Sequence, residues 1–153
     1  MKVIFLDIDG VLNTGRYRKV QVKRGISDYY NAQFNFDPIC MRNLKEIVDK
    51  TGAKIVLSST WRINQEDEYF NEFKLNLKQY DLFDSFISIT PVLNSIRGDE
   101  IKEWLSNKND VDEFIILDDE DDMGDLINRL IKCDEFYGFN DEKKLEALKL
   151  FNL

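Results

Sequence analysis

Asp7 and Asp9 stand two residues apart in Asp7-Ile8-Asp9-Gly10-Val11-Leu12-Asn13, directly after the apolar run Val3-Ile4-Phe5-Leu6. Two carboxylates so spaced, at the end of a strand and ahead of a glycine turn, can provide a nucleophile, an acid/base partner and a seat for a metal ion. The arrangement recurs. Lys54-Ile55-Val56-Leu57 runs into Ser58-Ser59-Thr60, and Phe114-Ile115-Ile116-Leu117 runs into Asp118-Asp119. Three buried-strand patterns each end in residues that handle phosphate or metal, and open α/β sheets bind ligands at the carboxyl ends of their strands.

The chemistry follows from the residue types. A carboxylate such as Asp7 can attack phosphorus to give an aspartyl-phosphate that water then hydrolyses. The phosphoryl group is itself anionic, so the attack needs positive charge. Mg²⁺ prefers carboxylate and water oxygens and offsets the repulsion, and Asp118 or Asp119 is placed to hold it. Asp9 can protonate the leaving group and then activate water. Ser58 or Ser59 can donate to phosphate oxygens, and Arg97, just before an expected helix start, can neutralise developing charge. Each residue alone has a plainer reading: a serine after a strand is a common helix cap, and acids such as Glu120, Asp121 and Asp122 are favourable at a helix N-terminus. The signal lies in their order and placement together. The chain has no histidine, which excludes His-based triads, zinc–histidine sites and histidine general bases.

The elements that must position these residues alternate strand and helix. Strands are expected at Val3 to Leu6, Ala53 to Leu57, Phe86 to Ile89 and Phe114 to Leu117, with a short last one at Phe136 to Phe139. Asp37-Pro38 opens a helix as N-cap and first helical residue, Ile39, Leu44, Ile47 and Val48 give its apolar face, and Gly52 ends it. Further helices are expected over Glu66 to Tyr80, Asp99 to Asn107, Met123 to Ile131 and Asp141 to Phe151. Strands alternating with helices imply an α/β fold: a three-layer, Rossmann-like arrangement with a mostly parallel sheet covered on both faces. At 153 residues with 43% hydrophobic content, the chain fits a single domain, 1–153, with a real core. Residues 14–36 are polar, basic and aromatic without helical period, and read as a long loop or small flap. No apolar run is long enough for a signal-peptide core or a membrane span. The two well-separated cysteines, Cys40 and Cys133, suit a reduced, cytoplasmic setting.

A net charge of −8 argues against broad, non-specific nucleic-acid binding. The charge is uneven, however. Arg16, Arg18, Lys19, Lys23 and Arg24 fall within nine residues with no acid among them, directly after the Asp7/Asp9 motif. That run is a candidate contact for an anionic substrate.

These motifs resemble those of the haloacid dehalogenase-like superfamily of phosphatases. Asp7-Ile8-Asp9-Gly10-Val11 matches its first motif, Ser58 its second, Arg97 its third and Asp118-Asp119 its fourth. The resemblance implies that Asp7 is the nucleophile and Asp9 the acid/base. It also implies that Asp7, the Asp9 backbone carbonyl and Asp118 bind Mg²⁺, while Asp119 is a ligand or orients a metal-bound water. Leu57-Ser58-Ser59-Thr60-Trp61-Arg62, Arg97-Gly98-Asp99-Glu100-Ile101 and Phe114-Ile115-Ile116-Leu117-Asp118-Asp119 resemble the small haloacid dehalogenase-type domain of bacterial and phage RNA-repair proteins. That likeness makes a nucleotide or nucleic-acid terminal phosphate the expected substrate, with Arg62 pairing with phosphate and Trp61 either stacking on a base or, the plainer reading, packing its loop against the core. Only residues 14–36 are left over for an inserted cap, so the expected site is essentially capless, working as a monomer or with a protein partner that closes it. The other readings are a small-metabolite or phosphoprotein phosphatase, and a catalytically silent binding module. Against the last, both Asp7 and Asp9 are present.

Overall fold

A computed structural model describes residues Met1–Leu153. Five parallel strands form one sheet in the order β3-β2-β1-β4-β5: β1 (Lys2–Leu6), β2 (Lys54–Leu57), β3 (Phe86–Ile89), β4 (Glu113–Asp118) and β5 (Leu130–Lys132). The chain starts in the middle, builds β2 and β3 to one side, then crosses to add β4 and β5 on the other. The strand order therefore reverses between β1 and β4, the position at which parallel sheets open a crevice beyond their carboxyl ends.

Both sheet faces are covered, as near-continuous apolar strands require. Ile4, Leu6, Ile55, Leu57, Ile115 and Leu117 face the larger core with Leu44 and Ile47 of α2 (Pro38–Thr51), Phe73 and Leu77 of α3 (Glu68–Gln79) and Ala147 of α5 (Asp141–Leu150). Val3, Phe5, Val56 and Ile116 face the other way, against Ile101 and Trp104 of α4 (Arg97–Ser106) and Met123. The alternation is the two-residue period of a strand.

α2 begins and ends as expected: Asp37 accepts from the Ile39 amide, Pro38 takes the first helical position, and Gly52 closes it at φ +70°. Three expectations differ. Residues 14–36 are not a bare loop; they carry α1 (Gly15–Lys23) and a 3-10 turn at Asn31–Phe34. Thr14 caps α1 by accepting from the Tyr17 amide, but Gln21 is its one buried residue, so no apolar stripe betrays the helix. Met123 to Ile131 is not a helix: Gly124 sits at φ +58°, a 3-10 turn runs Gly124–Arg129, and Leu130–Lys132 forms β5. Phe136 to Phe139 is a turn, with Gly138 at φ +62° and the Phe139 amide bonded to the Val11 carbonyl at 2.8 Å. No helix is long and apolar enough to cross a membrane.

The N-terminus of α4 lies tightly against the loop after β4. A Cβ on Gly98 would meet the Met123 carbonyl oxygen at 2.2 Å, which backbone cannot accommodate without moving. Gly98→Ala should lower stability by about 2 kcal/mol, the cost of overpacking a well-filled site, read as the urea midpoint at constant slope. An unchanged midpoint would show that α4 can slide away from that loop freely.

Candidate active site

Strand register builds the site. Leu6 of β1 aligns with Leu57 of β2 and Leu117 of β4, so the next residues, Ser58, Asp7 and Asp118, lie side by side beyond them. The Ser58 amide donates to the Leu6 carbonyl at 2.8 Å and the Asp7 amide to the Leu117 carbonyl at 2.9 Å, which holds that row. By alternation the three side chains share the face of Phe5, Val56 and Ile116, the face on which α4 packs. Arg97, the first residue of α4, accordingly reaches the row, its Nε 3.9 Å from an Asp118 oxygen. Ile96 cannot cap α4 with its side chain. Asp122 does so from the loop after β4, accepting from the Arg97 amide at 3.2 Å, while its carbonyl accepts from Gly98 at 3.0 Å.

Asp7, Asp118 and Asp119 bring carboxylate oxygens within 4.8 Å of one another. Gly10, at φ +77°, permits this crowding: a Cβ there would stand 2.5 Å from an Asp119 oxygen. Burial, then the Asp118 charge beside it, pushes Asp7 well above the usual carboxylate range. Burial pushes Asp118 up to about 6, against the opposing pull of the Glu120 amide and Arg97. Three crowded carboxylates with one guanidinium nearby leave negative charge in excess. This oxygen-only donor set suits a hard cation such as Mg²⁺. Asp7, Asp118 and Asp119 would hold it, joined by the Asp9 backbone carbonyl, which accepts no backbone hydrogen bond.

The two serines part company. Ser58 is buried, and its hydroxyl has no hydrogen-bond partner. A buried polar group so left calls for a ligand or a mechanistic use. Ser59, equally buried, caps the 3-10 turn Thr60–Arg62 by accepting from the Trp61 amide at 3.3 Å. Ser58 is thus the one free to meet a phosphate.

Asp9 is exposed, and both its oxygens are held. Asn13 Nδ2 donates to one at 2.7 Å and Trp61 Nε1 to the other at 3.1 Å. Of the two readings of Trp61, packing against the core holds and base stacking does not. The ring is buried edge-to-face among Phe34, Phe36 and Tyr69, so its outward task is that indole N–H. Arg62 is not a phosphate contact either. It is buried, its Nε donates to the Thr90 carbonyl at 2.9 Å and its Nη2 to the Pro91 carbonyl at 3.2 Å, and its Nη1 bonds the Ser59 carbonyl. It also pairs at 2.9 Å with Glu100, which in turn holds Arg97 at 3.3 Å. Arg62 therefore fixes the loop after β2 and, through Glu100, the arginine of the site.

Of the basic run, Arg16 is drawn inward. Its Nη2 donates to both oxygens of the fully buried Asp37 at 2.8 Å. Arg18 and Lys19 instead line an open groove that begins at Asp9 and Gly10. Asn13, Glu100 and Asp122 were invisible to sequence reasoning as site residues. Asn13 stood inside the first motif, but nothing in its type showed that it would turn back onto Asp9.

A family model described as "HAD domain in Swiss Army Knife RNA repair proteins" matches residues 3–143. No curated protein and no solved structure matches the chain.

The crowded carboxylates make a pH-dependent prediction for metal-free protein. Asp118 titrates near 6 when folded and about 3.9 when unfolded. A raised folded pKa means its contribution is full below about pH 4 and is lost as pH rises through about 6. Asp118→Asn should therefore be more stable than the parent in EDTA at pH 7, by roughly 3 kcal/mol, with the difference closing towards pH 4. Millimolar Mg²⁺ should raise the Tm of the parent and not of the variant. Equal responses to Mg²⁺ would place the ion elsewhere.

Proposed function

The chain belongs to the family of HAD domains in Swiss Army Knife RNA repair proteins, and we propose that it is a Mg²⁺-dependent phosphomonoesterase acting on a nucleotide or nucleic-acid terminal phosphate. The observation that carries this reading is the row at the strand ends. A crowded carboxylate, Asp7, stands between the partnerless hydroxyl of Ser58 and the carboxyl of Asp118, with a second, tethered carboxylate two residues on.

In this mechanism an Asp7 oxygen attacks the phosphorus of the bound monoester. The bond from phosphorus to the leaving oxygen breaks, and Asp9 gives that oxygen its proton. Asp9, now ionised, takes a proton from water as the water oxygen attacks the aspartyl-phosphate. Inorganic phosphate leaves and Asp7 is restored. Ser58 Oγ donates to a phosphoryl oxygen, and the Arg97 guanidinium, oriented by Glu100, balances charge that grows in the transition state. Mg²⁺, when bound, supplies positive charge that offsets repulsion between Asp7 and the phosphoryl oxygens. The two hydrogen bonds to Asp9 keep its carboxyl aimed through both half-reactions.

Phosphate release from an aryl phosphate, mononucleotides and oligonucleotides with 3′- or 5′-phosphates, with and without Mg²⁺, tests the reading. Release should require Mg²⁺ and should fall on the order of 10³-fold or more in Asp7→Asn, as for loss of a covalent nucleophile. Near-normal release from that variant would remove Asp7 as nucleophile. Trp61→Phe keeps the packed ring and deletes the N–H on Asp9. It should lower kcat about tenfold, the worth of one oriented hydrogen bond to a charged group, for substrates with poor leaving groups. An aryl phosphate, whose leaving oxygen needs little protonation, should lose less; equal losses would mean that Trp61 serves packing alone.

A further inference from the structure

Next to Asp9 the molecule opens into a groove of about 960 Å³, at the upper end of the range for ligand sites (roughly 300–1,000 Å³). It is far larger than a phosphoryl group needs. Its floor is Gly10, Asn13, Ala32 and Gln33. One wall is α1, which presents Arg18, Lys19, Val22 and Lys23; Tyr29 and Phe136 flank it, and Glu135 is its one acid besides Asp9.

We propose that this groove seats a single-stranded polynucleotide end, so that the enzyme reads at least two nucleotides of strand rather than one terminal phosphate. This rests on the phosphomonoesterase reading of the adjoining carboxylates. Four observations carry it. First, α1 and the residue after it hold five cations and no acid in a chain of net charge −8, so positive charge is concentrated where the groove runs. Second, Arg18, Lys19 and Lys23 form no ion pair with any carboxylate, unlike Arg16. Third, Arg18 is preset: its guanidinium lies 3.6 Å from the centre of the Tyr29 ring, and its Nε donates to the Tyr29 carbonyl at 2.7 Å. Its two Nη groups are left to face a phosphate as a fork. Fourth, Tyr29 and Phe136 line the groove and are 69% and 39% exposed, even with Arg18 against one face of the Tyr29 ring. Cations tracking a backbone with aromatic rings between them are the ordinary means of holding single strands, because every base has a face to stack.

Direction follows from the adjoining carboxylates. Asp9 and Gly10, which line the groove, lie directly after Asp7, and Lys23, which also lines it, is the last residue of α1. The terminal phosphate lies at the carboxylates, the first nucleoside beside Asp9, and the next phosphate against Arg18, Lys19 and Lys23.

Binding and turnover are read separately. In EDTA, where no turnover occurs, fluorescence anisotropy follows a labelled short oligoribonucleotide with a terminal phosphate, and a labelled mononucleotide, on the full chain. The oligonucleotide should bind at least tenfold more tightly than the mononucleotide. The Lys19→Ala/Lys23→Ala variant should lose tenfold or more of that affinity, with a log–log salt slope shallower by about 1.4, as two single-strand phosphate contacts predict. Tyr29→Ala, which removes a stacking ring and the ring on which Arg18 rests, should lose several-fold, with a slope shallower by no more than about 0.7, the worth of one phosphate contact. With Mg²⁺, the ratio of kcat/KM for oligonucleotide over aryl phosphate should fall tenfold in the lysine variant. These side chains are exposed, so thermal unfolding should show the variants folded. Oligonucleotide affinity unmoved by the lysine variant, or a mononucleotide that binds as tightly, would overturn the groove whatever the activity. The expected losses of affinity in a protein that releases no phosphate from any substrate would uphold the groove and overturn the hydrolase reading.

Discussion

Three carboxyl groups forced together at one end of a sheet are the constraint around which this molecule is organised. Asp7, Asp118 and Asp119 approach within 4.8 Å, two of them out of water. Left to itself such a group repels, and burial compounds the cost by disfavouring the charged forms. The fold tolerates it through arrangements that would otherwise have no purpose. β1 and β4 are held in register by backbone bonds as far as Leu6 and Leu117. Gly10 gives up a side chain so that Asp119 can come close, and Gly98 gives one up so that α4 can bring Arg97 near Asp118. Glu100 and Arg62 then fix Arg97 from behind. A site that stores repulsion in this way is built to receive positive charge.

Much of this was legible in the sequence. Strands with unbroken apolar runs announce themselves in a parallel sheet, because both faces are covered, and the chemistry-bearing residues follow directly at their ends. Asp7, Ser58 or Ser59, and Asp118 or Asp119 could be placed at strand ends from pattern alone, whereas strand order and register, which set Asp7, Ser58 and Asp118 side by side, could not. What could not be read were contacts between segments distant in sequence. Nothing in Trp61 says that its ring will be enclosed by Phe34, Phe36 and Tyr69 and its N–H turned to Asp9. Arg62 was expected to pair with phosphate from the likeness to RNA-repair domains, yet its donors go to the backbone at Ser59, Thr90 and Pro91. α1 was missed for a different reason. Helices are found by their apolar stripe, and a helix resting on one buried glutamine has none.

α1 nonetheless has a firm attachment, and it is polar. Asp37 is fully buried and serves two helices at once. It caps α2 through the Ile39 amide, and it accepts from the Thr14 hydroxyl at 2.7 Å and from Arg16, fixing the start of α1. A buried carboxylate is stable when its charge and lone pairs are met, and here they are. The arrangement ties the start of α1 to the body of the protein through polar contacts, and it leaves the rest of α1 free to face outward with its cations.

In the proposed mechanism Asp9 must act from an open site. Enzymes that close a lid can bring an acid/base residue into line at the moment of closure and exclude water as they do so. Here the leftover segment after β1 is too small to enclose a substrate, and Asp9 is exposed. Its geometry must be set beforehand. Asn13 holds one oxygen from within the same loop, and Trp61 holds the other from the far side of the site. Trp61 is itself held by aromatic rings that pack on it from the residues after α1 and from α3. The ordering cost for Asp9 is thus met during folding, which is the sense in which preorganisation replaces closure. The same rings tie Asp9 to the segment that forms the floor of the basic groove, where Ala32 and Gln33 precede Phe34.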